Sequence, residues 1–308
     1  MNLPILTGMM PVAPTIFHED GGLDLDGQRN TTDFLIESES DGICILANYS
    51  EQFSLNDDER IAVIDTTMER ASGRTPVIVT TSHFSARIAR ERVITAQDRG
   101  ASLVMMMAPF FGATMRVDEG TVLEYFKRVF DGIEIDLMIQ DAPLSTTPVS
   151  VALLDRISHE VPQLKYVKIE IARSADKVRD LIVAVGSSIP GLFTGEEAVT
   201  LIHDLEAGVI GSMSSGALPY ELRRVVTAFG AGRHEEARME WERLLPMIQY
   251  ENRQLGLLAT KVLLKEGGII ASDCVRHPLT PARKEHREEF LATARRVDPL
   301  ILRWASTE

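Results

Sequence analysis

Between residues 10 and 212, short apolar and β-branched runs alternate with amphipathic stretches, and this repeated alternation restricts the fold more than any other feature. The runs fall at 10–17, 42–47, 76–80, 103–108, 136–140, 166–170, 191–194 and 208–212. Runs this short, with little polar alternation, are those of strands covered on both faces, as in a parallel sheet. The stretches between them, such as "NDDERIAVIDTTMERA" and "SARIARERVITAQDRGA", carry helical spacing. The first opens on Asn56 as a helix N-cap, with Asp57, Asp58 and Glu59 at the positive end of the helix dipole. Parallel neighbours need right-handed crossovers, and eight strand–helix units close most economically into an α/β fold of the (β/α)8 TIM-barrel type. A doubly wound sheet is the alternative, but no Gly-rich dinucleotide loop follows the first run.

After residue 232 the strand signal stops. Helical patterns take over in "MEWERLLPMIQYENRQ", "GLLATKVLLKEGG" and "REEFLATARRVDPLILRW". The expected organisation is therefore a barrel over 1–232 carrying the active site, and a C-terminal helical extension over 233–308 packed on it. Of the 308 residues 44% are hydrophobic and 25% charged, as in a globular protein, and the net charge of −13 disfavours a nucleic acid or an anionic membrane as partner. No apolar run approaches the ~18 residues of a membrane span. The start "MNLPILTGMMPVAP" has no basic region of the secretory type, and Cys44 and Cys274 stand in unrelated contexts. Together these predict a reduced, cytoplasmic protein without a disulfide framework.

The stretch "QLKYVKIEIA" breaks the apolar rule of its own strand. Residues two apart share a face, so Tyr166, Lys168 and Glu170 point one way, and Val167, Ile169 and Ile171 the other. A buried ammonium and carboxylate each lose several kcal/mol or so of hydration, which only good pairing geometry returns. The pair is either a plain ion pair at a strand end or a site. In a barrel the C-terminal strand ends form the mouth, where catalytic groups sit, and a desolvated lysine is a nucleophilic amine. Lysine is absent before Lys127, and Lys165, Lys177, Lys261, Lys265 and Lys284 mostly fall in helices or at a strand start, where solvated charges are expected. With no phosphate loop and no metal-ligand spacing among the seven histidines, Lys168 points to covalent capture of a carbonyl as a Schiff base, without metal or cofactor. His83 follows the third strand and has a capping or packing role as its plain alternative.

Other strand ends carry polar groups that a core would not select. Asn48 and Tyr49 end the second strand and Gln140 the fifth. Gly195, Glu196 and Glu197 follow the seventh, where glycine permits close backbone approach and a carboxylate accepts bonds from hydroxyls; Ser212 and Ser214 end the last. The set fits a small, hydroxylated 2-oxo acid.

The sequence from "PVAPTIF" through "GICILANYSEQFSLNDDER", "PVIVTTSH", "APFF", "YVKIE" and "TGEE" to the helical tail resembles the dihydrodipicolinate synthase and N-acetylneuraminate lyase superfamily. The resemblance implies Lys168 as the imine-forming residue and the backbone amides of Asn48 and Tyr49 as the substrate carboxylate site. It places Gly195, Glu196, Glu197 and Ser212 along the substrate's hydroxylated end, and implies a homotetramer. Two tyrosines usual in that superfamily are replaced here, one by Gln140 in "QDAP" and one in "APFFG" by Phe110 and Phe111. An amide cannot relay a proton near neutral pH, so the usual synthase and aldolase relay is missing. The strings "CILANYSEQF", "QDAP", "KIE", "ENRQ", "KEGGIIAS" and "RHP" resemble a dehydratase branch lacking those tyrosines. That branch converts a five-carbon 2-keto-3-deoxy sugar acid into 2-oxoglutarate semialdehyde. The expected reaction is imine formation by Lys168, loss of a C3 proton and departure of the C4 hydroxyl, with Glu170 assisting. Class I aldol cleavage releasing pyruvate and a non-catalytic 2-oxo-acid-binding barrel are the alternatives.

Overall fold

The computed structural model describes residues 5–110, 117–147 and 149–306. Its strands are β1 (Gly8–Met9), β2 (Ile43–Ile45), β3 (Val77–Thr80), β4 (Leu103–Met107), β5 (Leu137–Asp141), β6 (Leu164–Ile169), β7 (Gly191–Thr194) and β8 (Gly211–Ser212). Each pairs in parallel with its sequence neighbour from β2 to β8, and β8 pairs with β1. Val12 bridges to both Cys44 and Ser215, while Ala13 N–H donates to Cys44 O at 2.8 Å and Cys44 N–H to Pro11 O at 2.9 Å, so the sheet closes on itself. The alternation in the sequence thus yields the closed (β/α)8 barrel.

The expected first strand, 10–17, is displaced. The regular ladder is confined to Gly8–Met9, because Pro11 and Pro14 remove two N–H donors from the segment that follows. The last strand is also shorter than 208–212, since Gly208 at φ 115° ends the preceding helix.

Helices α1 (Leu25–Glu37), α2 (Asp57–Ala71), α3 (Ala86–Asp98), α4 (Glu119–Phe130), α5 (Val151–Glu160), α6 (Ser174–Val185), α7 (Leu201–Ala207) and α8 (Pro219–Gly230) follow the strands in turn. Asn56 caps α2 as expected, in a reciprocal box: its side chain accepts from Glu59 N–H and Glu59 accepts from its backbone. The strands have two apolar faces with different duties. Val167, Ile169 and their equivalents pack outward against the helices, whereas Met10, Ile78, Met105, Met138, Tyr166 and Phe193 fill the barrel interior. At the floor the Tyr166 hydroxyl accepts from Leu6 N–H at 2.9 Å.

Beyond the barrel lie α9 (His234–Tyr250), a π-helical turn (Glu251–Leu255), α10 (Leu258–Glu266) and α11 (Lys284–Val297). No helix among the described residues is long and apolar enough to cross a membrane. Two lysines expected as solvated charges are instead paired inside the protein, one buried and one half-buried. Lys261 on α10 is 1% exposed and paired with Glu51, and Lys177 on α6 is paired with Asp141 at 2.7 Å. The run "GLLATKVLLKEGG" is apolar on nearly all sides, and such a helix is buried, so its central lysine needs an internal partner.

Candidate active site

At the C-terminal end of the barrel a cavity of ≈ 270 Å³ opens above the layer of interior side chains, lined by groups that include Asn48, Tyr49, Gln140, Lys168, Glu170, Glu196 and Glu197. Gln140 and Lys168 are direct neighbours in the β5–β6 register, which sets their side chains together on the inner face. Lys168 is 3% exposed, and its Nζ lies 2.8 Å from Glu170 Oε1. Gln140 Nε2 donates to the other oxygen, Glu170 Oε2, at 2.6 Å. Glu170 thus has an ammonium on one oxygen and an amide on the other, and its own N–H is fixed to Asp141 O at 2.9 Å. Gly195 has a structural reason here: a Cβ on it would stand 2.4 Å from both Cγ and Oε1 of Glu170.

The seventh strand leads into an unusual turn. Glu196, Glu197 and Ala198 all have positive φ, at 46°, 53° and 68°, a conformation that side-chain-bearing residues rarely adopt in succession. Asp204, fully buried, holds this turn by accepting from Thr194 Oγ1 at 2.5 Å, Thr200 Oγ1 at 2.7 Å and Ser174 Oγ at 2.6 Å. The twist sends Glu197 inward, where Asn252 Nδ2 donates to its Oε2 at 2.7 Å and the Tyr49 hydroxyl also donates to it. Burial raises the Tyr49 pKa, and the carboxyls of Glu197 and Glu251 raise it further. Burial raises Glu196 as well, against the opposing pull of Arg253.

Asn48 and Tyr49 begin a short 3₁₀ turn, Asn48–Ser50, whose first N–H groups have no acceptor within the turn itself. The Asn48 side chain accepts from Gln52 Nε2 at 2.6 Å. Ser212 departs from expectation. It is fully buried with its hydroxyl 2.6 Å from that of Ser214, and the cavity is lined by Ser214 and Ser215 rather than by Ser212. Strand alternation puts Ser212 and Ser214 on one face, and Ser214, nearer the mouth, is the one that meets the cavity. Gly195 is likewise off the cavity wall, acting through the room it leaves for Glu170.

His83 has the plain role: its Nδ1 accepts from Ser85 N–H at 3.0 Å at the start of α3, and its ring stacks on Phe84 at 4.5 Å. Phe110 meets Phe53 edge-on at 6.3 Å, and Phe111 lies outside the described residues. Among the described residues no group of three or more His, Cys, Asp or Glu side chains has metal-site geometry. Cys44, wholly buried, has its thiol pushed up to about 11 by burial, and both cysteines are free.

Three residues went unread in the sequence as parts of the site. Glu251, Asn252 and Arg253 stand on the π-helical turn; Asn252 and Arg253 line the cavity, and Glu251 is buried beside Glu197. The signal was the polar string "ENRQ" between two apolar helical patterns, but which way its side chains turn depends on the one-residue insertion of the π turn.

Comparison with known proteins agrees with this geometry. The sequence profile of the Dihydrodipicolinate synthetase family matches residues 5–297. An L-2-keto-3-deoxyarabonate dehydratase of Azospirillum brasilense is 48% identical over 99% of this chain and 98% of its own. A 4-hydroxy-tetrahydrodipicolinate synthase of Nitrosococcus oceani is 29% identical over 96% of this chain and 99% of its own. Among solved structures, a dihydrodipicolinate synthase from Rhodopseudomonas palustris superposes with a TM-score of 0.86 at 26% identity, covering 94% of this chain and 97% of that one.

Proposed function

From the premise that the chain belongs to the Dihydrodipicolinate synthetase family, we propose that it is a Schiff-base-forming dehydratase converting L-2-keto-3-deoxyarabonate to 2-oxoglutarate semialdehyde. The observation that carries this reading is the Lys168–Glu170–Gln140 cluster at the cavity floor. It keeps an amine for imine formation and a carboxylate for proton transfer, and has an amide where a phenol would serve the aldolase relay.

Lys168 attacks C2 and water leaves, giving an iminium that acidifies the C3 protons. Glu170, 2.8 Å from the amine, removes one of them and leaves an enamine. The nitrogen lone pair then re-forms the iminium as the C3–C4 double bond forms and the C4–O bond breaks. Loss of one C5–H proton and of the C5 hydroxyl proton, with protonation at both C3 and C4, turns C5 into the aldehyde, and hydrolysis of the iminium releases the semialdehyde and the free lysine. The N–H groups of Asn48 and Tyr49 bind the substrate carboxylate, while Glu196, Glu197 and Ser214 meet the hydroxylated end. No cofactor takes part in this scheme.

The wider expectations belong to the same reading. The enzyme serves pentose, and specifically L-arabinose, breakdown in the cytoplasm. Residues 233–308 are an extension docked on the barrel 1–232, and they contribute Asn252 and Arg253 to the site. The enzyme assembles as a homotetramer, a reading supported by Phe53 and Phe84, 61% and 50% exposed on the loops after β2 and β3, which a second copy would cover. Sedimentation velocity tests the assembly. Identification of the product from 2-keto-3-deoxypentonate tests the activity: semialdehyde supports dehydration, and pyruvate would assign an aldolase.

A further inference from the structure

A 2-oxo acid arrives as an anion. This chain meets it with a net charge of −13 and with a cavity whose wall carries three carboxyl groups, Glu170, Glu196 and Glu197. Like charges slow such an encounter unless a local field of the other sign draws the ligand in. Two cations line the same cavity, Lys168 and Arg253. Lys168 is paired with Glu170 at 2.8 Å and has the imine to form. Arg253 has no such commitment. Among the described residues its guanidinium makes no hydrogen bond and no ion pair, and Glu196 feels only its charge.

The position of Arg253 adds to this freedom. It stands on the π-helical turn (Glu251–Leu255) beside Asn252, whose 2.7 Å bond to Glu197 ties that turn to the wall of the cavity. Arg253 also lines a second cavity, an open one of ≈ 430 Å³ on the helical extension, together with Gln249, Tyr250, Gln254, His286 and Glu289. The polar groups of that outer space are engaged with one another: Glu289 accepts from the Tyr250 hydroxyl at 2.9 Å, and His286 Nδ1 lies 3.2 Å from the same hydroxyl. Among the described residues no other lines both cavities. An uncommitted guanidinium between outer and inner space presents a planar fork of donors that matches a carboxylate.

We propose that Arg253 captures the substrate: its guanidinium takes the incoming carboxylate at the rim between the two cavities and yields it to the amides of Asn48 and Tyr49 as C2 comes within reach of Lys168. The inference rests on reading the inner cavity as a 2-oxo acid site, and it adds the step before the imine. No covalent bond changes in this step. Its consequence is specificity, since Arg253 favours anionic carbonyl compounds over neutral ones of the same shape.

The test is the rate of imine formation, read by borohydride quench at sub-saturating concentration, with pyruvate and with its neutral methyl ester. In Arg253→Gln the second-order rate with pyruvate should fall at least about tenfold at ~0.01 M ionic strength, within the range that electrostatic steering spans. That deficit should shrink severalfold by ~0.3 M, because the screening length drops from roughly 30 Å to under about 8 Å. The rate with methyl pyruvate should match that of the parent. Arg253→Lys, which keeps the charge and loses the fork, should recover most of the pyruvate rate. With 2-keto-3-deoxypentonate, Arg253→Gln should raise KM and leave kcat close to that of the parent. An equal deficit with the ester, or one indifferent to salt, would reduce Arg253 to shaping the wall and overturn the proposal. A lowered kcat with an unchanged KM would overturn it too, by moving Arg253 into the chemical steps. If the parent forms the pyruvate imine but dehydrates no 2-keto-3-deoxy sugar acid, the dehydratase reading falls, and the comparison of pyruvate with its ester still decides the role of Arg253.

Discussion

Among the described residues two lysine–glutamate pairs stand inside the protein, and they differ in what surrounds them. Lys261 and Glu51 are sealed: the ammonium also donates to Cys274 O at 2.8 Å and lies 4.4 Å from the centre of the Phe17 ring, and Arg276 N–H donates to the second Glu51 oxygen at 3.0 Å. Burial lowers the Lys261 pKa, and the charge of Glu51 opposes the shift. This pair clamps the loop after β2 to the C-terminal helices. Lys168 and Glu170 are also paired, at 2.8 Å, yet both line a cavity of ≈ 270 Å³. Burial and pairing are common to the two; access to open space is not. A buried ion pair is therefore no sign of catalysis until something can reach it.

The contrast is broken most sharply by removing the two lysines. Lys168→Ala should abolish turnover, with the adduct trapped by borohydride in the parent found on Lys168 by peptide mass spectrometry. Its stability should change little, because water in the cavity can solvate the carboxylate left behind. An adduct on Lys165 or on Lys177 would displace the assignment and the strand register with it. Next in size is Glu170→Gln. If Glu170 moves protons, the variant should form the trapped imine at a parent-like rate and dehydrate at least about a hundredfold more slowly. If Glu170 only orients the amine, imine formation itself should slow and dehydration of the adduct should be normal, and rapid-quench kinetics separates the two.

Lys261→Met should give the opposite pattern. Truncating one partner of a sealed pair typically costs roughly 3–5 kcal/mol, and replacing both with apolar groups can recover much of it. Urea denaturation should therefore show a large loss for Lys261→Met, and recovery in Glu51→Leu/Lys261→Met, while imine formation per folded molecule is retained in both. A single variant as stable as the parent would mean that the pair contributes nothing to holding the extension on the barrel.

These two lysines also show what could be read from the sequence. Lys168 was legible because strand alternation puts it and Glu170 on one face, and the barrel puts that face at the mouth. Lys261 was misread because a lysine in a helical pattern is usually solvated, although the apolar residues on all sides of it argued otherwise. The eight strand–helix units were legible because parallel strands covered on both faces leave apolar runs. Their limits at Pro11 and Gly208 depended on which N–H groups and φ values the ladder could accept. Glu251 and Asn252 were out of reach, since the π turn that aims them is an insertion without a local signature. The inward twist at Glu197 was equally hidden, because non-glycine residues there adopt positive φ only under tertiary constraint.

The smallest expected effect sharpens the comparison from the open side. Gln140 Nε2 makes a 2.6 Å bond to Glu170 Oε2, and the matching place on the sealed pair is taken by the backbone N–H of Arg276. A backbone donor cannot be exchanged by mutation, whereas Gln140 can, so the open pair is the tunable one. Gln140→Tyr puts a phenol where an aldolase relay would need it. We expect slower dehydration, by about tenfold or more, since hydrogen bonds to charged groups contribute roughly 1.5–3 kcal/mol. Pyruvate should nevertheless remain a minor product. Aldol cleavage requires a base at the C4 hydroxyl, and burial raises the Glu196 and Glu197 carboxyls on that side of the cavity, so each gives up its proton less readily than an exposed carboxyl. Phe110 supplies no second phenol. Product analysis by chromatography decides the matter: pyruvate as the main product of Gln140→Tyr would show that the residue at the end of β5 alone selects between carbon–oxygen and carbon–carbon cleavage, and that the acidic wall has no say in it.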